Sequence, residues 1–407
     1  MPRQINYSSL LLVLIIPFFA EANGPHTQES GILYSTYFSP KEYQANPQNW
    51  ATLQKKNGVM VFGNGDGIMT FDGVRWQLIP LANNNLVRSL AFDNEERIFI
   101  GGYNEIGYLS ESNKGKSRIV SLLNKLTDEQ KEFGHVWNIV AADNKIYFAT
   151  DKNILAWNGN IITEIQIPFE NKRSFATLYQ NKILVQPAME SLLVLQNDEL
   201  NPMAGGEFFK GKRITGILPY STNKALICTL EDALYLYDGE KSVPFLSEVT
   251  NFLKENRLYK AIKLKNGNFA FGTLLRGVVI IDKQGALIHL MEKGRGLGDN
   301  AVYNLEEDQQ GSLWVTMSVG ISRVELQTPM TWFDERNGLT GAVNDIIRYD
   351  GDLYAATMLG LYKLKRGASF STPSNFIKVN ELPTSVWAMT AQHGSLLLVT
   401  DNGTAEL

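Results

Sequence analysis

The chain has 407 residues, 44% of them hydrophobic and 20% charged, with 38 basic against 42 acidic side chains for a net charge of −4. That balance speaks against a nucleic-acid-binding surface, which needs clustered Lys and Arg to displace counterions from phosphates, since the basic residues here are scattered among acidic ones. A lone cysteine, Cys228, rules out an internal disulfide scaffold; within the run ALICTL it reads as a small buried apolar side chain rather than a nucleophile.

At the N-terminus, Arg3 precedes an apolar run over residues 10–20 (LLLVLIIPFFA), and Ala20-Glu21-Ala22 offers an A-x-A cleavage site. These are the parts of a secretory signal peptide over residues 1–22. The run falls short of the ~20 apolar residues that span a bilayer and contains Pro17. A cleaved leader is therefore expected rather than a permanent anchor. The mature chain is expected in the periplasm or another extracytoplasmic space.

From there a small residue or turn followed by a short apolar strand recurs near Gly67, Gly107, Asn153, Ser191, Ala233, Gly277, Gly320, Gly360 and Gly403, at intervals of 38 to 46 residues. A sustained period of that size marks a repeat architecture. Within each unit a first strand leads into a tight turn rich in Asn, Asp and Gly, as at 93–96, 143–145, 180–182, 265–267, 309–311 and 350–351. These residue types tolerate the positive φ that hairpins need. The second strand is apolar on both faces, as in IYFAT at 146–150, LWVT at 313–316, LYAAT at 353–357 and LLLVT at 396–400, which is the pattern of a strand buried on both sides. A third strand closes on a polar turn, as in IMTFDG at 68–73 and LYLYDG at 234–239, and weaker segments such as 76–80 supply a fourth.

Four-stranded sheets set radially, each between two neighbours, account for all of these features. The expected fold is all-β: a β-propeller of four-stranded blades. A helical solenoid would need 3.6-residue periodicity, which surfaces only around residues 121–132.

The repeat resembles a known one, the two-component regulator propeller repeat, which occurs in the extracytoplasmic sensor regions of hybrid histidine kinases and related bacterial regulators. Residues Asn300, Val302, Leu305, Glu307, Asp308, Gly311, Leu313, Trp314, Val315, Gly320, Ile321 and Arg323 fit its pattern, while Thr316 and Met317 depart from the usual Gly-Thr pair. Gly351, Leu353, Thr357, Gly360 and Leu361 fit in the next copy. Tyr43, Gln48, Asn49, Trp50 and FGNGDGI at 62–68 look like the start of a first propeller in that family. The resemblance covers about residues 32–407. The third to fifth repeats are degenerate, with Asn153, Ser191 and Ala233 where Gly is expected.

Family members commonly carry two seven-bladed propellers in series. The expected division is thus a first propeller of seven repeats over 23–328 and two repeats of a second over 329–407. Stopping there leaves an open sheet edge, which native domains close or cover, so the chain reads as a fragment of a longer protein.

Catalytic patterns are sparse. The four histidines, His26, His135, His289 and His393, have no metal-ligand spacing, and neither a G-x-S-x-G elbow nor a phosphate-binding loop is present. The oxygen ligands and terminal Glu of a calcium-binding EF-hand are missing around Asn64 and Asp66. Paired carboxylates on different blades would leave no mark in sequence spacing; Asp93, Asp308 and Asp350 read as turn residues. No cofactor or metal is called for.

A ligand is expected on the propeller face where inter-strand loops gather around the central channel. Six side chains unusual for their repeat positions are candidates: Tyr103 and Asn104 in GGYNEIG, His135 and Trp137 in GHVWN, Arg276 in TLLRG and Tyr303 in NAVYN. Aromatic faces stack on sugar rings or other flat ligands, and Arg and Asn fix polar groups. Trp137 and Tyr303, like Trp314 and Trp387, have a second reading as wedges between blades, and Glu105 reads as a solvated acid.

The resemblance implies a non-enzymatic sensor region that binds a small molecule and signals by reorienting against its neighbour or a dimer mate. The output module, and a membrane helix, would lie beyond residue 407. Oligosaccharides are favoured as ligands only because the family is frequent in glycan-utilisation systems. Two other classes stay open: a secreted carbohydrate-active propeller enzyme and a protein-binding scaffold.

Overall fold

A computed structural model describes residues 29, 31–81, 85–111, 117–367, 372–379 and 385–407. The signal-peptide reading of residues 1–22 lies outside them.

The structure is built from antiparallel sheets of consecutive strands, and the turn chemistry shows why. At Asp143-Asn144, Gln180-Asn181, Asn197-Asp198, Asp350-Gly351 and His393-Gly394 both turn residues have positive φ between 48° and 86°. Two-residue turns of this hand match the right-handed twist of the flanking strands. They tie Ala142 to Lys145, Tyr179 to Lys182 and Tyr349 to Asp352.

The first blade shows the order of parts, with strands Asn49–Gln54, Met60–Asn64, Gly67–Phe71 and Trp76–Pro80 paired in sequence. Five more sheets repeat it over residues 87–121, 136–166, 174–202, 214–244 and 258–293. In the next sheet Val302–Glu307, Ser312–Met317 and Ile321–Glu325 take the first three places. The fourth is filled from the start of the chain: Ser35–Phe38 pairs with Ile321–Glu325. The period alone did not indicate this closing strand.

Second strands are buried along their whole length, as in Met60–Asn64, Phe269–Thr273 and Ser312–Met317. Their apolar side chains do not form one central core. They form layers between successive blades: Val61, Ile68 and Ile79 meet Val87, Ile98 and Ile100, and Leu226, Cys228 and Leu234 meet Phe269, Phe271 and Val279. One such layer joins the last sheet of the ring to the first, with Trp314 and Ile321 packed on Met60, Phe62, Met69 and Phe71. Phe38 of the closing strand stacks on Trp314 at 5.7 Å between ring centroids. The innermost strands follow the same circuit, and Val302–Glu307 lies against Asn49–Gln54.

Two further sheets follow. Val343–Tyr349, Asp352–Thr357, Gly360–Lys365 and Asn375–Lys378 make one, and Val386–Gln392, Ser395–Thr400 and Gly403–Glu406 make the other. They share an apolar layer containing Tyr354, Leu361, Val386 and Leu398. The residues that hinted at helix near 121–132 form a 3-10 turn, Leu123–Lys125, and a second turn in which Lys131 N donates to Thr127 O at 3.2 Å.

Candidate ligand-binding channel

One backbone irregularity builds the site. In the first strand of six ring blades, pairing with the second strand skips the second residue: Asn49 opposes Asn64 and Ala51 opposes Gly63, so Trp50 is left out. The same skip extrudes Arg88, Trp137, Thr215, Tyr259 and Tyr303. A bulge of this kind bends the strand and re-aims the extra side chain. All six extruded residues line one cavity of about 510 Å³ that runs along the innermost strands. In the fourth blade the ladder is regular from Ser174 and Phe175 onward. There Arg173, one residue ahead of the strand, reaches the cavity instead.

Four of the extruded side chains, Tyr303, Trp50, Arg88 and Trp137, form a continuous stack that Arg173 extends. Tyr303 lies on Trp50 with centroids 4.2 Å apart and planes within 5°. The Arg88 guanidinium carbon sits 4.3 Å from the Trp50 ring and 3.9 Å from the Trp137 ring, and that of Arg173 lies 3.3 Å from the Trp137 ring. Guanidinium and indole faces attract through the ring quadrupole. Two edge contacts fix the arc: Trp137 Nε1 donates to Asp151 Oδ1 at 2.6 Å, and Arg88 Nη2 donates to Tyr259 Oη at 3.3 Å.

The cavity is positively charged. Arg88, Arg173, Arg213 and Lys260 line it, and no Asp or Glu is among the lining residues. Burial pulls Arg173 below the ordinary guanidinium range, and the like charge of Arg213 adds to the effect. His135, beside the stack, is also lowered, first by burial and then by the Arg88 charge, so it is neutral near pH 7. Lower in the ring, burial pulls Lys260 down against the charge of Glu306. The Glu306 carboxyl is pushed up to about 7 by burial, opposed by Lys260 and Lys265.

Of the six candidates from sequence, Trp137 and Tyr303 line the cavity. His135 and Tyr103 sit beside it as a bridged pair, with rings 4.9 Å apart and His135 5.6 Å from Trp137. Asn104 ties two loops together, accepting from Gly134 N at 2.6 Å and donating to Glu132 at 2.9 Å. Arg276 is not among the lining residues; its Nε contacts Glu292 Oε1 at 2.5 Å on the fourth strand of its own blade. Glu105 is not solvated: it is buried, accepts from Ser121 Oγ at 2.7 Å, and burial raises its pKa. Trp314 is a wedge between blades, whereas Trp387 is half exposed and donates from Nε1 to Asp401 at 2.7 Å.

Sequence reading missed Trp50, Arg88, Arg173, Arg213, Tyr259 and Lys260. The signal for three of them was present: Trp50, Arg88 and Tyr259 hold the same place in their repeats as Trp137 and Tyr303, second in the first strand.

Comparison with known proteins places this geometry. The family described as "Two component regulator propeller" matches residues 296–318. No curated protein matches the chain by sequence. Among solved structures, the extracellular domain of the putative hybrid two component system BT3049 from B. thetaiotaomicron is similar with a TM-score of 0.64 at 15% identity, over 92% of this chain and 53% of that one. The extracellular domain of the putative one component system BT4673 from the same organism gives 0.55 at 14% identity, over 92% and 52%. Virginiamycin B lyase from Staphylococcus aureus gives 0.56 at 12% identity, over 72% and 99%. The chain thus spans about half the length of the two B. thetaiotaomicron domains. At these identities the likeness is one of fold, a β-propeller. The match to the two-component regulator propeller family falls on one of these repeats, at residues 296–318.

Proposed function

We propose that this chain is the ligand-binding sensor region of an exported two-component-type signalling protein. Residues 1–22 direct export, 23–328 form the first propeller, and 329–407 begin a second. A small molecule occupies the channel, and its binding is passed to an output module by reorientation of the propeller against its neighbour or a dimer mate. Only a ligand that favours one arrangement over the other can drive such a shift.

The observation that carries this reading is the cavity of about 510 Å³ walled by Tyr303, Trp50, Arg88 and Trp137. A concave site with aromatic faces and a few fixed polar groups is the usual form of a small-molecule pocket. Sugar rings suit such an aromatic-lined wall. The likeness to extracellular domains of putative one- and two-component systems supports the sensor role and extracytoplasmic location. The enzyme alternative draws on the similar lyase, but a carboxylate-pair hydrolase needs two acids about 5 to 9 Å apart, and the lining residues include none.

The test is calorimetric titration of the protein with a panel of oligosaccharides, with chromatography of the same mixtures. Binding without product formation, weakened at least tenfold by Trp137→Ala, is the expected result. Product formation would overturn the non-enzymatic reading, and binding untouched by Trp137→Ala would move the site out of the channel.

A further inference from the structure

The channel's cations are the feature that ligand stacking leaves unexplained. A stable fold normally pairs an enclosed charge or keeps it in water. Here Arg88, Arg173, Arg213 and Lys260 converge on one cavity, yet among the described residues none of the four has a carboxylate within ion-pair distance. Two acids are nearby: Glu306 acts on Lys260 alone of the four and is itself pushed towards its neutral form by burial, and Asp151 is already occupied, its two oxygens accepting from Trp137 Nε1 at 2.6 Å and His135 N at 2.8 Å.

Stacking uses the faces of the guanidinium groups and leaves their edges. Arg88 lies between Trp50 and Trp137, and Arg173 rests on Trp137. A guanidinium carries five in-plane N–H donors. Of those on Arg88, one reaches Tyr259 Oη at 3.3 Å. Planar donors held in place by stacked rings are pre-organised for the two oxygens of a carboxylate or sulfate. An anion bound there would also relieve the mutual repulsion that Arg173 and Arg213 show.

Resting on the reading of the channel as the ligand site, we infer that its ligand is a ring compound bearing an acidic group, with the ring packed along the wall that the Tyr303–Trp50–Arg88–Trp137 stack presents to the cavity and the oxyanion on the edges of Arg88 and Arg173. Two sources share that chemistry: acidic saccharides and aromatic acids.

The experiment uses two matched pairs of probes, digalacturonate against galactobiose and benzoate against benzyl alcohol, titrated into the full chain by calorimetry and tryptophan fluorescence. The acidic member of at least one pair should bind at least tenfold more tightly than its neutral match, and the pair that responds identifies the source. Arg173→Gln should weaken that binding at least tenfold, and Arg173→Lys should recover only part of it because the fork is lost. Arg213→Gln, which removes a cation outside the stack, should weaken it several-fold and guards against misfolding of the Arg173 variants.

Equal or tighter binding of the neutral members, or acid binding insensitive to both Gln variants, overturns the inference. If Trp137→Ala nevertheless abolishes the neutral binding, the channel reading survives that failure. Binding of any probe that is indifferent to Trp137→Ala removes the channel reading itself. No binding of either acid at millimolar concentration also overturns the inference.

Discussion

The seam between the last and first sheets of the ring is the place where one side chain should matter most. Trp314 is 3% exposed. Its ring lies 5.7 Å from Phe38, 5.6 Å from Phe62 and 6.0 Å from Phe71, so it touches the N-terminal closing strand and two strands of the first blade together. Its Nε1 donates to the buried Asp308 carboxylate at 2.9 Å, and the other oxygen of Asp308 accepts from Ser312 N at 2.9 Å.

Trp314→Ala leaves a cavity in a layer that cannot collapse without moving a blade, and such truncations cost about 3–5 kcal/mol. Trp314→Phe refills most of the space but removes a donor from a buried carboxylate, a loss of about 1–3 kcal/mol. Against a total stability of about 5–15 kcal/mol, the alanine variant should unfold at clearly lower denaturant. The assay is urea unfolding followed by fluorescence and circular dichroism, with Trp332→Ala as control because Trp332 is 51% exposed. The control should change stability by at most about 0.5 kcal/mol. A cost below about 1 kcal/mol for Trp314→Ala would refute the argument that this aromatic layer holds the ring shut.

Other predictions concern charge. Glu306, pushed by burial up to about 7 from its ordinary value of 4.5, binds its proton more tightly folded than unfolded, so its contribution is fully present below pH 4.5 and is lost as pH rises through about 7. The slope is at most about 1.4 kcal/mol per pH unit for one group. Glu306→Gln should flatten the pH dependence of the melting temperature between pH 4.5 and 7 relative to the parent; an unchanged slope would show that Glu306 stays hydrated.

Glu29 has the opposite sign, held down at about 2 chiefly by the Arg348 hydrogen bond, with Arg366 assisting. Its contribution is present above pH 4.5 and lost as pH falls through about 2. Both arginines are about half exposed, so solvent limits Glu29→Gln to roughly 1 kcal/mol or less. Hydrogen exchange should show faster exchange at Gly31, whose amide donates to Thr331 Oγ1 at 3.1 Å.

What the sequence disclosed and concealed follows from the range of each interaction. Turns were legible because their chemistry is local: Asp350-Gly351 carries φ of 48° and 79°, and only a few residue types accept that. Second strands were legible because burial on both faces leaves no polar alternation, as in Ser312–Met317. Two of the three degenerate repeats, those at Asn153 and Ala233, keep the local device of the regular repeat at Gly277. Thr150, Thr229 and Thr273 each end a second strand by donating to the carbonyl of residue 153, 233 or 277 at 2.8 to 3.1 Å. The closing strand Ser35–Phe38 was not legible, because it pairs with residues almost 300 positions away and has no place in the period. Arg276 stood out in sequence but is engaged by Glu292, a partner that periodicity cannot name.

The channel was half legible for a different reason. Trp137 and Tyr303 were noticed as unusual residues, whereas what unites them with Trp50, Arg88 and Tyr259 is a shared bulge position. A bulge is invisible to composition, yet repetition makes it readable once register is known: in six of the seven ring blades the second residue of the first strand is extruded whatever its identity, so that position can vary chemically while the ladder around it stays fixed. The neighbouring sheets extrude Asn344 and Trp387 by the same skip, and Trp387 is braced by Asp401 as Trp137 is by Asp151. The binding chemistry proposed here would therefore be carried by residues that contribute least to the ladder. Yet Tyr303 and Trp50 stack across the very boundary that Trp314 and Phe38 seal. By mass action, anything that binds this stack in the folded ring and not in the unfolded chain stabilises the ring, seam included, by RT ln(1 + [L]/Kd).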